Sequence, residues 1–366
     1  MGEYFAWCIP MIKDKSILIK NIYYMLAYVF TILNQSNYVE ISTEEFENIH
    51  NLFAVILSKG ISHQLKQGLY REYITCNEDV KVMRGKINMM GTIKNKINRK
   101  QDLSCEFDVL SENNLLNQII KTTVMLLIKH AEVDSRYKSD LKKAMLFFSN
   151  VDTINPTNIK WSSIGFQRNS KTYIMLINIC RFILEGMLMT TDNGDYHMAE
   201  FIDEQRMCRL YEKFILEYYN KEFPALKASA SQISWALDDG VTTMLPIMKS
   251  DVTLCYGNQV LIIDAKYYEH TMQHKYNNYT LHSNNLYQIF TYVKNKELEY
   301  GSVPHTVSGM LLYAKTDEEI QPDNSYMMSG NKISVKTLDL NCKFSEIATQ
   351  LDNIAIEHFG EEIRNL

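Results

Sequence analysis

The amino-acid sequence predicts an α/β protein. A mainly α-helical N-terminal domain carries a β-rich projecting element, and a C-terminal domain is built on a mixed sheet. Three observations carry this reading. Apolar residues recur at helical spacing through most of the first half. Between Leu69 and Phe107 that period gives way to alternation. After Asp203 the order becomes helix, hairpin, helix, strand, which is an α/β order.

Each element follows from its pattern. Ile22, Met25, Leu26, Val29 and Phe30 fall on one helical face, and so do Phe46, Ile49, Phe53 and Ile56. Tyr73-Ile74-Thr75-Cys76 and Leu103-Ser104-Cys105-Glu106-Phe107 predict strands around a polar, basic insert with Gly85 and Gly91. Helices are predicted over Leu115–His130, near Leu141–Phe148 and over Tyr173–Leu188. The polar stretch Thr190–Asp195 is the best linker candidate. It divides the chain into domains 1–192 and 193–366, with the projecting element at about 70–110. Beyond it, Met207, Leu210, Tyr211, Phe214, Ile215 and Tyr218 share a face of a helix from Asp203 to Phe223. Strands are predicted over Thr243–Leu254 and Gln259–Tyr268, on either side of a Gly257-Asn258 turn. A helix over Asn285–Lys296, strands over Thr306–Tyr313 and near Lys332–Leu338, and a helix over Phe344–Phe359 complete the chain.

Bulk properties narrow the function. At 366 residues the chain exceeds the roughly 250–300 at which single cores stop growing. A formal net charge of −5 is unlike a protein that holds DNA alone, because phosphate neutralisation supplies most nucleic-acid affinity. A chain this acidic, if it acted on DNA, would be expected to share the holding of DNA with a partner. The seven cysteines form no CxxC pair, so neither a disulfide framework nor a zinc ribbon is indicated. Tyr4–Met11 lacks the flanks of a signal peptide, and Ile17–Leu33 is too polar and short to span a bilayer, so a cytoplasmic location is expected and no membrane partner. No GxxxxGK[ST] loop occurs, so this chain is not expected to hydrolyse nucleotides itself.

The informative chemistry lies in Met248–Leu254 and Val260–Lys266. Two apolar strands joined by a tight turn place Asp251 on the first strand and Asp264 near the end of the second. Strand side chains alternate, so Asp264 and Lys266 project to one face and Ala265 to the other. Two carboxylates and an ammonium at the end of a buried strand are costly unless used or paired. The set suits phosphodiester hydrolysis with magnesium, a hard cation that takes carboxylates, waters and phosphate oxygens. Asp-x-Lys alone arises by chance; the apolar run Val260–Ile263 ahead of it is what lifts it. Gln288 and Tyr292, four apart on a helix, can face the site, and Glu212 or Glu217 can add a carboxylate. Glu212 is taken as the third metal ligand beside Asp251 and Asp264. A rival zinc set of His270, His274 and His282 with Glu269 falls in a polar, tyrosine-rich stretch that reads as loop.

Lys249-Ser250-Asp251-Val252-Thr253, Leu261–Tyr268 and His282–Gln288 resemble the McrC family, the nuclease subunits of McrBC restriction systems. So do Lys20–Tyr28, Arg84-Gly85-Lys86-Ile87, with Lys86 in place of an arginine, and Phe107–Asn113 with Asn117–Lys121. The resemblance spans nearly the whole chain. It implies a PD-(D/E)xK nuclease fold in the C-terminal domain, with Ser250 where the fold's name has proline. It assigns the catalytic roles to Asp251, Asp264 and Lys266, and Gln288 and Tyr292 match a Gln-x-x-x-Tyr element of some relatives. It implies a hexameric AAA+ GTPase partner of the McrB type that uses the GTP, double-stranded DNA with modified cytosine as substrate, and Mg2+ as cofactor. The projecting element would engage the ring, and its basic cluster of Lys94, Lys96, Arg99 and Lys100 would face partner loops or DNA. Two alternatives stand beside this: a non-catalytic activator or scaffold of such a ring, and a stand-alone DNA repair nuclease.

Overall fold

The computed structural model describes residues 13–14, 17–34, 41, 44–166, 171–190, 196–198, 202–268, 272–275 and 278–365. They form two compact units. One comprises the described parts of Met1–Leu52, Glu185–Met187 and Ala199–Leu366; the other is Phe53–Leu184 with Leu188–Met198. The units do not divide at 192/193, where the polar stretch placed the boundary. Strands on either side of that stretch pair with each other, Leu188↔Met198 and Thr190↔Tyr196.

In chain order the first elements are β1 (Lys13–Asp14), β2 (Ile17–Leu18), α1 (Ile19–Val29) and α2 (Ile49–Leu65). Next come β3 (Glu72–Val80), β4 (Lys86–Ile87), α3 (Met89–Ile97) and β5 (Leu103–Ser111). The helices α4 (Leu115–Lys129), α5 (Ser135–Met145) and α6 (Lys171–Met187) follow, then β6 (Leu188–Thr190) and β7 (Tyr196–Met198).

The expected projecting element is a three-stranded antiparallel sheet, order β3-β5-β4, with register Glu72↔Ser111 through Val80↔Leu103. Its basic insert is not a polar turn but contains α3, N-capped by Asn88, whose side chain accepts from Gly91 N at 3.1 Å. Apolar periodicity missed this helix because the residues it buries, Thr92 and Asn95, are polar. Gly91 is required there, since a Cβ would sit 2.4 Å from Ser104 Oγ. The root of the ribbon is pinned by amides. Asn117, fully buried on α4, donates to the carbonyls of Tyr70 (2.9 Å) and Glu112 (2.7 Å) and accepts from the Tyr173 hydroxyl at 2.7 Å. Asn114 also donates to Tyr70 O, at 2.9 Å.

The remaining elements are α7 (Glu204–Glu222), β8 (Gln232–Ile233), β9 (Met248–Lys249), β10 (Val252–Tyr256), β11 (Gln259–Lys266), β12 (Gln273–Lys275) and β13 (Asn278–Thr280). After these come α8 (Ser283–Leu298), β14 (Thr306–Ala314), β15 (Asn324–Met328), β16 (Asn331–Leu338) and α9 (Phe344–Phe359). The five-stranded sheet runs β10-β11-β14-β16-β15, with the outer pairs antiparallel and the inner three strands parallel. It is the mixed sheet the element order predicted. The strand β15 escaped sequence reading because it is a short, mostly exposed edge without the alternation of a half-buried strand.

One sheet face carries Val260, Ile262, Val307, Leu311, Ile333 and Val335 against Ile289 and Val293 of α8. Gly309 lets that helix approach: a Cβ there would lie 2.7 Å from Ile289 Cγ1 and 2.8 Å from Val293 Cγ2. On α7, the Tyr211 hydroxyl donates to Leu312 O at 3.4 Å. The opening helix α1 packs on α7 and joins this unit. Tyr28 lies against Phe214, Tyr218 and Phe344, Tyr24 stacks on Phe344 at 4.5 Å, and Asn21 donates to the carbonyls of Leu340 and Cys342, both at 2.8 Å. No helix among the described residues is long and apolar enough to cross a membrane.

Candidate active site

The site grows from one hairpin. The strands β10 and β11 meet at a two-residue turn whose first residue, Gly257, has φ +56°, a conformation that suits glycine. At the other end the expected continuous strand is interrupted at Ser250–Asp251, so Asp251 sits in a bend between β9 and β10 rather than on a strand. The bend is held by Ser250, which donates its backbone N–H to Ser231 O at 3.0 Å. A proline at that position could not make this bond. One step beyond the pair Val252↔Ile263, the register brings Asp251 opposite Asp264.

Alternation does the rest. Ala265 is buried on the opposite face, while Asp264 and Lys266 follow Val260 and Ile262 on the face that α8 covers. Asp264 is 1% exposed, and its Oδ2 lies 2.8 Å from Lys266 Nζ. Beyond that ammonium, Oδ2 meets no further hydrogen-bond donor with good geometry among the described residues. Asp251 Oδ2 accepts from the Ala265 amide at 2.9 Å. Lys266 Nζ also donates to Gln288 Oε1 at 3.2 Å, and Gln288 Nε2 donates to the Tyr292 hydroxyl at 3.0 Å. The two α8 residues therefore reach the site through the lysine.

Burial and like charge crowd the carboxylates of the site. Burial, then the charges of Asp264 and Glu212, push the Asp251 carboxyl up to about 8. Burial also raises Asp264, against the pull of Lys266. For Lys266, burial would lower the ammonium, but Asp264 and Asp251 hold it up to about 12. An opposing positive charge is thus fixed in place, and two buried carboxylates compete for it. A hard divalent cation relieves such crowding, and Asp264 Oδ2 has lone-pair capacity beyond its contact with the Lys266 ammonium.

Glu212, on α7, faces Asp251 closely enough to raise its carboxyl. Among the described residues, the oxygens of Asp251, Asp264 and Glu212 do not all lie within 4.8 Å of one another. Glu217 instead ion-pairs with Lys213 at 3.1 Å. Sequence reading missed Cys208, one turn ahead of Glu212, whose thiol donates to Glu212 Oε1 at 3.1 Å. Burial and then that carboxylate push the thiol up to about 12. Its only sequence signal was the spacing of four. In the rival zinc set, Glu269, His270 and the side chain of His274 lie outside the described residues. The segment Gln273–Lys275 is a strand, so His274 is not on a helix, and His282 precedes α8 with its ring 5.5 Å from that of Tyr268.

A stability prediction follows from Asp251. Its carboxyl titrates near 3.8 when unfolded and near 8 when folded, so folding favours the protonated form. Stability is therefore highest at low pH and is lost as pH climbs between those values. The melting temperature of the ion-free protein should fall from about pH 5 to about pH 8 through this group, and Asp251→Asn should flatten that decline. An unchanged slope in the variant would disprove the assignment.

Comparisons with known proteins agree with this architecture. The model of a family described as McrBC 5-methylcytosine restriction system component matches residues 11–314. The type IV methyl-directed restriction enzyme EcoKMcrBC of Escherichia coli (strain K12) is 27% identical over 345 residues, 93% of this chain and 97% of that protein. Among solved structures, the chain is similar to one in the refined half-complex from a tetradecameric assembly of Thermococcus gammatolerans McrB AAA+ hexamers with bound McrC. The TM-score is 0.52 at 18% identity, covering 92% of this chain and 76% of that one, which shows a shared fold. With the family model matching most of its length, the chain belongs to the McrBC 5-methylcytosine restriction system components.

Proposed function

We propose that this chain is the Mg2+-dependent endonuclease subunit of an McrBC-type restriction complex, with a PD-(D/E)xK-type site in its C-terminal unit. One observation carries the reading: Asp251 lies opposite Asp264 at the end of a buried strand, with Lys266 ion-paired to Asp264. Asp251 and Asp264 would hold the ion, with Glu212 reaching it through a bound water. When bound, Mg2+ polarises the scissile phosphate and lowers the pKa of a coordinated water. Lys266, held by Gln288, orients the attacking water and offsets charge that develops on the phosphate oxygens. Tyr292 fixes Gln288 and so steadies the lysine.

The substrate we infer is double-stranded DNA bearing modified cytosine, on the strength of the family. The partner we infer is a hexameric AAA+ GTPase of the McrB kind, since the similar Thermococcus chain comes from an assembly of McrB AAA+ hexamers with bound McrC. The net charge of −5 fits a chain that shares its DNA with such a ring. The projecting element offers a contact surface. Val82, Met83, Met89, Met90, Ile93 and Ile97 are all exposed, Met90 at 82%. Such a patch of large apolar side chains marks an interaction site, and methionines adapt to a partner's contours. Arg84 is tied down over the Phe107 ring at 4.2 Å.

The test is reconstitution with an McrB-type partner. Methylated plasmid should be cut on both strands only with partner, GTP and Mg2+ together, and unmethylated plasmid should survive. No cleavage under those conditions would leave the scaffold role, and cleavage without partner or GTP would point to a repair nuclease. For the tip, Met83→Asp with Met90→Asp should lower stimulation of the partner's GTPase at least about tenfold, with melting unchanged. Full stimulation by that variant would remove the apolar tip from the interface.

A further inference from the structure

We propose that Cys208 is a positioning residue: its thiol holds the Glu212 carboxylate beside Asp251, so that Glu212 serves as an outer, water-mediated ligand of the metal ion. The inference rests on the metal-site reading above and concerns how its third carboxylate is kept in place.

Glu212 is otherwise poorly restrained. It is half-buried on α7, and a glutamate has three rotatable bonds to hold in place. The Cys208 Sγ–Glu212 Oε1 hydrogen bond at 3.1 Å is the restraint the structure supplies, and its spacing of one helical turn places the two side chains on the same stripe. The sulfur is anchored in turn. The backbone amide of Tyr267, directly after Lys266 on the chain, hydrogen-bonds to it. A bridge therefore runs from the end of β11, through the thiol, to the carboxylate on α7: amide N–H to sulfur, S–H to oxygen. The strand that bears Asp264 and Lys266 thereby sets where Glu212 stands. One Glu212 oxygen is occupied by the thiol. The charge of the carboxylate held in this way is one of those that raise the Asp251 carboxyl, after burial and Asp264.

The outer position also suits the ion. Magnesium keeps several waters and is gripped directly by one or two carboxylates, so a third held at a distance hydrogen-bonds to a metal-bound water. Partners of that outer kind typically contribute about tenfold to a hundredfold in metal affinity.

The experiment uses the purified full chain without partner or DNA, with Mn2+ as a spectroscopic stand-in for Mg2+. Binding is read from loss of the free-Mn2+ electron paramagnetic resonance signal. Wild type should bind saturably, and Asp251→Asn should not. Cys208→Ala should weaken binding about tenfold, and Cys208→Ser, which keeps a donor, should recover most of that loss. In the double variant with Glu212→Gln, Cys208→Ala should add nothing further, because the thiol acts through the carboxylate. Thermal melts of all variants check the fold. Wild-type affinity in Cys208→Ala, equal loss in Cys208→Ser, or additive loss in the double variant would each overturn the proposal. If wild type binds no Mn2+, or Asp251→Asn binds it equally, the metal-site reading itself fails.

Discussion

Asp264→Asn should reduce DNA cleavage by the reconstituted complex at least about a thousandfold, while the partner's GTPase is stimulated as by wild type. The replacement keeps the shape and removes the charge, so it deprives the site of its buried anion without opening a cavity. A thousandfold is about 4 kcal/mol of transition-state stabilisation, a reasonable share for a metal-holding carboxylate whose ion activates both water and phosphate. Lys266→Ala should behave alike for a second reason. It strips the ammonium 2.8 Å from Asp264 and leaves two buried carboxylates facing each other without compensation. Stimulation should survive in both because the proposed ring contacts lie in the other compact unit. Plasmid nicking and linearisation, run beside phosphate release from GTP, separate the two activities. Loss of stimulation with cleavage intact would reverse the assignment.

A chain cut at the polar stretch, residues 193–366 alone, should fail to fold cooperatively. The face of α7 that such a fragment exposes is lined by Phe214 and Tyr218, which pack against Tyr28 of α1, and Phe344 loses both Tyr24 and Tyr28. Ile22, Met25 and Leu26 are fully buried in the intact protein and would be absent. Each large apolar side chain removed from water is worth about 1.5–3 kcal/mol, and several together rival the whole 5–15 kcal/mol or so that holds a domain. Joining residues 17–52 to the fragment should restore a sharp thermal transition by circular dichroism. A sharp transition in the shorter piece would mean that α1 is dispensable to that core.

Much of the C-terminal unit was legible because it obeys simple periods. The run Val260–Ile263 with alternating Asp264-Ala265-Lys266 needs only strand geometry to place the two charged groups on one face, and they are there. The helix over Asn285–Lys296 needed only its spacing to align Gln288 with Tyr292. What periodicity could not show was interruption. The bend at Ser250–Asp251 depends on a hydrogen bond to Ser231, nineteen residues away, and no local pattern records that. Nor does local pattern reveal α3, whose buried residues are Thr92 and Asn95, or the thiol beside Glu212. The domain boundary misled for a related reason. Polar, glycine-containing sequence marks where the chain can turn, and between the paired β6 and β7 it does not mark where one core ends. The membership of α1 was invisible because its partners stand roughly two hundred residues or more downstream, at Glu222 and Leu340 among others.

The amide cluster at the foot of the β3–β5 ribbon has a mechanical meaning. A cantilever bends chiefly at its root, and here the root is clamped at several points: the Tyr70 carbonyl takes two asparagine donors, the Tyr70 amide donates to Tyr173, and Arg71 grips Glu112 at 2.7 Å. A push on the methionines at the far end therefore has little slack to spend in local flexing. It arrives at the helices that hold Asn117 and Tyr173 as a displacement of the whole arm.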